Sequence, residues 1–270
     1  SITLGSLDIG HGAGGHVTNT QVGTDALDSS IAGNEHNTAI GNSALTALAG
    51  GADSNTAVGS LCLDASIDGT NNTAVGQAAL SADCADNNTA VGKSALNSYT
   101  GSDAVAVGKD ALAACTTGTA NTAVGAIALD ACIDGANNTA VGYAALSTDC
   151  NSNNTMVGYK AGMLFTGDNA TAVGSGAADA AVSQTGLTAI GYNALTSATS
   201  GNDNTAVGSA ALDETIDGAY NTAVGLAALS ADCADYNTAV GRYALLSFTG
   251  SNATAVGSGA LDACTTGAEN

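Results

Sequence analysis

The chain of 270 residues has no proline and no tryptophan, and aromatic residues make up 3% of it. A compact core normally draws on large aliphatic and aromatic side chains, so this composition excludes an ordinary packed globule. Basic residues are almost as scarce: 4 Lys and Arg stand against 24 Asp and Glu, for a formal charge of −20. Phosphate contacts need clustered Lys and Arg, which excludes nucleic acid as a partner. No apolar run approaches the length of a membrane-spanning helix, so no membrane insertion is expected. The chain opens at Ser1 without a signal-peptide pattern, which reads as a processed form or a fragment. Yet 45% of the residues are hydrophobic, mostly Ala, Val and Leu, too many for a disordered acidic chain.

What is present is repetition. Asn-Thr-Ala-Val-Gly or a close variant recurs 16 times, ending at glycines from Gly5, Gly23 and Gly41 to Gly225, Gly241 and Gly257. The spacings are 16, 17 or 18 residues. A higher order lies above this. From about residue 59 the coils fall into 66-residue blocks of four, with an extra coil at 192–208 and irregular first coils over 1–36. A unit this short is below the size of the helical-repeat families. It suits one coil of a β-solenoid, with equivalent residues stacked about 4.8 Å apart. The fold expected is therefore all-β, a single parallel β-solenoid (β-roll) of about 16 coils over residues 1–270.

Positions within the unit alternate with a period of two. The residue before each glycine is aliphatic in all 16 units, and the residue two earlier is Thr in 14. Leu stands four positions after the glycine in 13 units. This pattern is read as two short strands per coil. The Val and Leu columns form the expected core: Val75, Leu80, Val91, Leu96, Val124, Leu129, Val141 and Leu146. The intervening column then faces outward: Ala57, Ala74, Ala90, Ala123, Ala140, Ala206, Ala223 and Ala239. Because 13 of 16 units hold Ala there, that stripe is the expected interface of a homotrimer. The corner glycine is expected to supply a positive φ or a close backbone approach. The Asn column, present in 11 units, is expected to form amide ladders along the axis or to cap its own turn.

The unit Asn-Thr-Ala-Val-Gly-x-x-Ala-Leu resembles the repeats of phage and algal-virus fibre proteins and of bacterial surface proteins. It is also similar to the Ser-Val-Ala-Ile-Gly-x-x-Ala motif in the head of trimeric autotransporter adhesins. That resemblance covers essentially the whole chain. It implies a left-handed parallel β-roll, three chains side by side, and a location outside a cell or on a virion surface. The coils here are longer than the autotransporter head unit, which implies one larger turn.

Few residues suggest chemistry. The three histidines, His11, His16 and His36, all lie near the start. They are candidates for a metal, against a reading as solvated side chains of a glycine-rich segment. Six of the seven cysteines fall seven or eight residues after the repeat glycine. They are read as fillers of a small apolar slot, with disulfides between coils or chains as the alternative. Aspartates such as Asp64 and Asp68 or Asp130 and Asp134 recur in the turns. Oxygen-rich turns can take Ca²⁺, but no recognised calcium loop is present; no other cofactor is implied. The chain is read as not an enzyme. The expected function is a structural and adhesive fibre segment, a rigid stalk or receptor-binding shaft whose outside partner would be a host-surface receptor or glycan. The alternatives are an extracellular filament stacked end to end, an ice-binding solenoid and a glycan-degrading spike. The high acidity is expected to suit a saline or calcium-containing medium, where screening mutes self-repulsion.

Overall fold

The computed structural model describes residues 2–4, 7–12, 17–29 and 33–267. The described residues contain strands and turns and no helix. The chain divides into two units, Ser1–Asn137 and Asn138–Asn270, and each is a parallel β-solenoid.

The first unit begins with β1 (Ile2–Leu4) and β2 (Leu7–Gly10), paired antiparallel, and β2 pairs antiparallel with β3 (Thr20–Val22). From β3 onward every pairing is parallel. The strands are β4 (Thr38–Ile40), β5 (Thr56–Val58), β6 (Thr73–Val75), β7 (Thr89–Val91), β8 (Val105–Val107) and β9 (Thr122–Val124). The second unit holds eight parallel strands. These are β10 (Thr139–Val141), β11 (Thr155–Val157), β12 (Thr171–Val173), β13 (Thr188–Ile190), β14 (Thr205–Val207), β15 (Thr222–Val224), β16 (Thr238–Val240) and β17 (Thr254–Val256). Register never slips: Thr pairs with Thr, Ala with Ala and Val with Val, as in Thr205↔Thr222, Ala206↔Ala223 and Val207↔Val224. The repeat counted from sequence at Gly5 is therefore not a parallel coil, since its strand β1 belongs to an antiparallel hairpin.

Each coil has one strand, not the two expected. After the corner glycine the chain alternates between right- and left-handed conformations, with positive φ two and four positions on. Examples are Leu61 (φ 57) and Leu63 (φ 53), and Ala78 (φ 53) and Leu80 (φ 53). Extended backbone cannot include such residues. The segment still hydrogen-bonds to its neighbouring coils: the Ala78 N–H donates to Ser60 O (3.0 Å) and the Leu80 N–H to Ala95 O (2.9 Å). The stack is thus continuous through turns as well as strands.

The interior is narrow. A typical coil turns inward the strand Ala, the Ala-Leu pair after the glycine, the Asn before the Thr and one slot residue. In one coil these are Ala74, Ala79, Leu80, Cys84 and Asn72, all buried. Leu80, Leu96, Leu129 and Leu146 are core as expected, but Val75, Val91, Val124 and Val141 are not. Val75 is 37% exposed, while Ala74 beside it is fully buried. The expected sides of the strand are reversed. Leu from the opposite wall fills the coil, leaving room at the strand for only a methyl group.

The slot residue varies in size along the stack, from Ser66, Cys115 and Ala181 to Tyr99, Phe165 and Phe248, all fully buried. This matches the small apolar role expected of the cysteines and extends it: the same position also accepts an aromatic ring. The corner glycines carry φ near 140°, as at Gly76 (φ 141), and a Cβ there would run into the carbonyl of Gly92 in the next coil. Both expected reasons for glycine operate together.

Candidate functional site

The reversal of the strand decides which columns meet the outside. Ala57, Ala74, Ala90, Ala123, Ala140, Ala206, Ala223 and Ala239 are fully buried within their own coils, so none of them can form an interface between chains. The outward columns are Thr and Val: seven rungs from β3 to β9 in the first unit, eight from β10 to β17 in the second. Thr is half-buried in most rungs and Val or Ile half-buried to exposed. Fourteen of these 15 rungs begin with Thr, the exception being Val105, and all 15 end in Val or Ile. No strand from β3 to β17 contains a charged residue.

The position after the glycine forms the corner beside this face. It holds no Asp or Glu in any of the 15 coils; Asp25 and Asp110 stand one position further on, and most other acidic residues lie in the later turns. All four cations of the chain, Lys93, Lys109, Lys160 and Arg242, stand one or two positions after a repeat glycine. Tyr143, Tyr159 and Tyr192 occupy the same corner column and are exposed. The rings of Tyr143 and Tyr159 stack at 5.6 Å between centroids and 14° between planes. Lys160 Nζ lies 5.5 Å from the Tyr159 ring centroid, and the Arg242 guanidinium lies 4.1 Å from that of Tyr243. A second exposed pair, Tyr220 and Tyr236, stacks at 5.0 Å on the turn just before the buried Asn.

No model of a known protein family matches the chain, and no curated protein is significantly similar to it. The functional reading therefore rests on these surfaces and on the groups behind them.

The Asn column is structural. Asn72 is fully buried; its Oδ1 accepts the Asn88 N–H (2.8 Å) and its Nδ2 donates to Ala85 O (2.8 Å). The same pair of bonds recurs at Asn37 and Asn154. Each side chain thus bonds the backbone of the next coil; the column is not a side-chain amide ladder. Of the histidines, the structure describes His11 and His36. His11 is exposed with Nδ1 2.8 Å from Asn19 O, His36 is exposed 3.9 Å from Glu35, and His16 lies outside the described residues. Among the described residues no group of three or more His, Cys, Asp or Glu side chains is placed to hold a metal ion.

The turn aspartates separate into two kinds. Asp83 and Asp86 accept the backbone N–H groups of Ile67 and Thr70 in the preceding coil (2.8 and 2.7 Å). Asp64, Asp130, Asp179 and Asp213 each have one buried oxygen with no hydrogen-bond partner among the described residues. Burial raises the carboxyl pKa of all four. None of the seven cysteines is in a disulfide. Burial pushes the thiols of Cys62, Cys84 and Cys233 up to about 11 and that of Cys115 up to about 12. At neutral pH they are protonated and unreactive, which fits slot fillers. Tyr143, Tyr159 and Tyr192 are already visible in the sequence as residues that follow the repeat glycine, whereas the cation column emerges only when charge is tabulated by repeat position.

Proposed function

We propose that the chain is a structural and adhesive fibre segment that assembles side by side with copies of itself, as a homotrimer, on the exterior of a cell or virion. The observation that carries this reading is the uncharged Thr–Val face on a chain of charge −20. Acidic turns repel one another. The strand face is the surface on which two copies can approach without bringing carboxylates together. Its flat, in-register rungs suit packing against a second sheet, and burying the Val column contributes roughly 25 cal/mol per Å² of apolar area. A parallel stack, in which each coil is covered by the next, suits a stiff spacer that presents a distant contact. An end-to-end filament draws less support, because the pairing at β1 and β2 is antiparallel.

One observation favours a second reading. Thr and Val on a regular outward lattice, with rungs about 4.8 Å apart and columns about two residues apart along the strand, is an arrangement that can order water toward ice. Light scattering coupled to gel filtration, run beside a freezing-hysteresis measurement, separates the two. The fibre reading expects wild type at three times the mass of the chain and no hysteresis. Val224→Glu, which places a charge on the face without entering the core, is expected to give a monomer. A wild-type monomer, or an unaffected Val224→Glu oligomer, overturns the assembly; a monomer with hysteresis establishes ice binding in its place.

A further inference from the structure

One outward column has no role in the assembly reading. It lies on the turn two residues before the start of each strand from β3 to β17, next to the buried Asn column. In six coils it holds Asn: Asn71, Asn87, Asn137, Asn153, Asn169 and Asn252. In each of these coils the strand begins with Thr, so each Asn opens an Asn-x-Thr triplet without proline. No other Asn of the chain is followed by Ser or Thr at that distance. The triplet is the acceptor sequence for N-linked glycans, which need a surface turn. The fold supplies one at every copy. All six Asn are exposed, the residue after each is buried, and the Thr beyond it is half-buried or exposed. Amide and hydroxyl of each triplet are thus turned to the same side, away from the core.

Neither the backbone nor the repeat requires Asn in this column. Its residues lie in the left-handed region, as at Asn71 (φ 58) and Asn153 (φ 65), which Asn tolerates well. Ala120 (φ 57) and Tyr220 (φ 58) adopt it in the same column. The buried Asn is not what preserves the triplet either. At Asn169 and Asn252 the middle residue is Ala170 or Ala253, yet the outer Asn and Thr both remain. We propose that this column is a line of N-glycosylation acceptors, modified from a polyprenyl-diphosphate-linked oligosaccharide as the chain is exported. The inference rests on the exterior placement in the reading above. In the transfer the Asn Nδ2 bonds to C1 of the first sugar and the bond from C1 to the carrier phosphate breaks. The diphosphate leaves with the electron pair, and the amide gives up one proton. The product is a bulky, solubilising surface group beside acidic turn residues such as Asp86 and Asp168.

The test is the mass of the protein isolated from its source, before and after peptide N-glycosidase. A mass above the 25.6 kDa of the polypeptide is expected. It should return to that value on treatment, leaving Asp in place of Asn within this column. The full chain secreted from eukaryotic cells behind a cleavable signal peptide then carries the variants. Thr73→Ala should abolish modification at Asn71, whereas Thr73→Ser should retain it, because the reaction needs the hydroxyl two residues on. Ala120→Asn should add a site, since Ala120 is exposed in the same column and Thr122 stands two residues on. Circular dichroism checks that all three stay folded. An unmodified source protein, modification of Asn outside this column, or a Thr73→Ala chain still modified at Asn71 overturns the proposal. Surface biotinylation of the intact source reads location separately. Protein labelled at the surface but unmodified defeats this proposal alone; unmodified protein found only inside defeats the exterior reading as well.

Discussion

At the scale of the residue, the coil interior is tight enough that two departures from the repeat compensate each other. Met156 stands where other strands have Ala, and Gly162 stands where most coils have Leu. The Met156 side chain lies where the Leu would go: a Cβ on Gly162 would sit 2.7 Å from its sulfur. Gly162 has φ 58, close to the Leu residues of the same column, so Leu is conformationally admissible there. Gly162→Leu alone should therefore overpack and cost about 1–3 kcal/mol. Met156→Ala alone should leave a cavity and cost about 2–5 kcal/mol. The double variant, which restores the repeat, should be close to wild type. A double-mutant cycle on denaturant unfolding reads the coupling; additive losses would mean the two side chains do not share the space.

At the scale of the element, strands of three residues cannot stand alone, and the coil is held to its neighbours by bonds on every side. The Asn column contributes the least replaceable of these. Asn72→Ala removes the acceptor of the buried Asn88 N–H and one of two amide donors to Ala85 O, which also accepts from Asn88 Nδ2. Leaving the buried Asn88 N–H unpaired should cost about 1–3 kcal/mol. Thr73→Ser, one residue along but on the outward side, should stay within about 0.5 kcal/mol. Because each coil contacts only its neighbours, the Asn72 loss should also lower hydrogen-exchange protection in the adjacent coils first. Uniform loss along the first unit would argue for global cooperativity instead.

At the scale of the whole molecule, charge opposes folding at neutral pH. Asp64, Asp130, Asp179 and Asp213 have carboxyl pKa values raised above the ordinary 3.8 because burial disfavours the charged form. A raised acid binds its proton more tightly when folded, so its contribution to stability is present at low pH and is lost as pH rises through the folded pKa. Lowering pH also reduces the net charge of −20 and with it self-repulsion. The two effects share a sign. Thermal melts should show a higher Tm at about pH 5, still above the pI of about 4.1, than at about pH 8. A triple Asp64→Asn, Asp130→Asn, Asp213→Asn variant should raise the neutral-pH Tm and flatten this dependence. An unchanged profile would remove these carboxyls as its cause.

The solenoid, its coil length and its one-coil repeat were legible in the residue string, because a side chain that stacks on its own equivalent leaves a column of identical letters. Glycine at the corner and Leu in the core follow from the same columns. The direction of the strand was not legible. Alternation of Thr, Ala and Val places Ala on one side and its neighbours on the other, but either side satisfies a period of two. Only the closed coil decides between them: its interior is already crossed by Leu, and Ala alone fits opposite. The exchange of Met156 with Gly162 is the written trace of that limit. The turn that replaces the second strand was hidden for a related reason, since Leu ordinarily avoids positive φ and here adopts it in coil after coil to carry its side chain inward. The stacked rings of Tyr143 and Tyr159 likewise meet only once coils are stacked, because 16 residues of chain separate them.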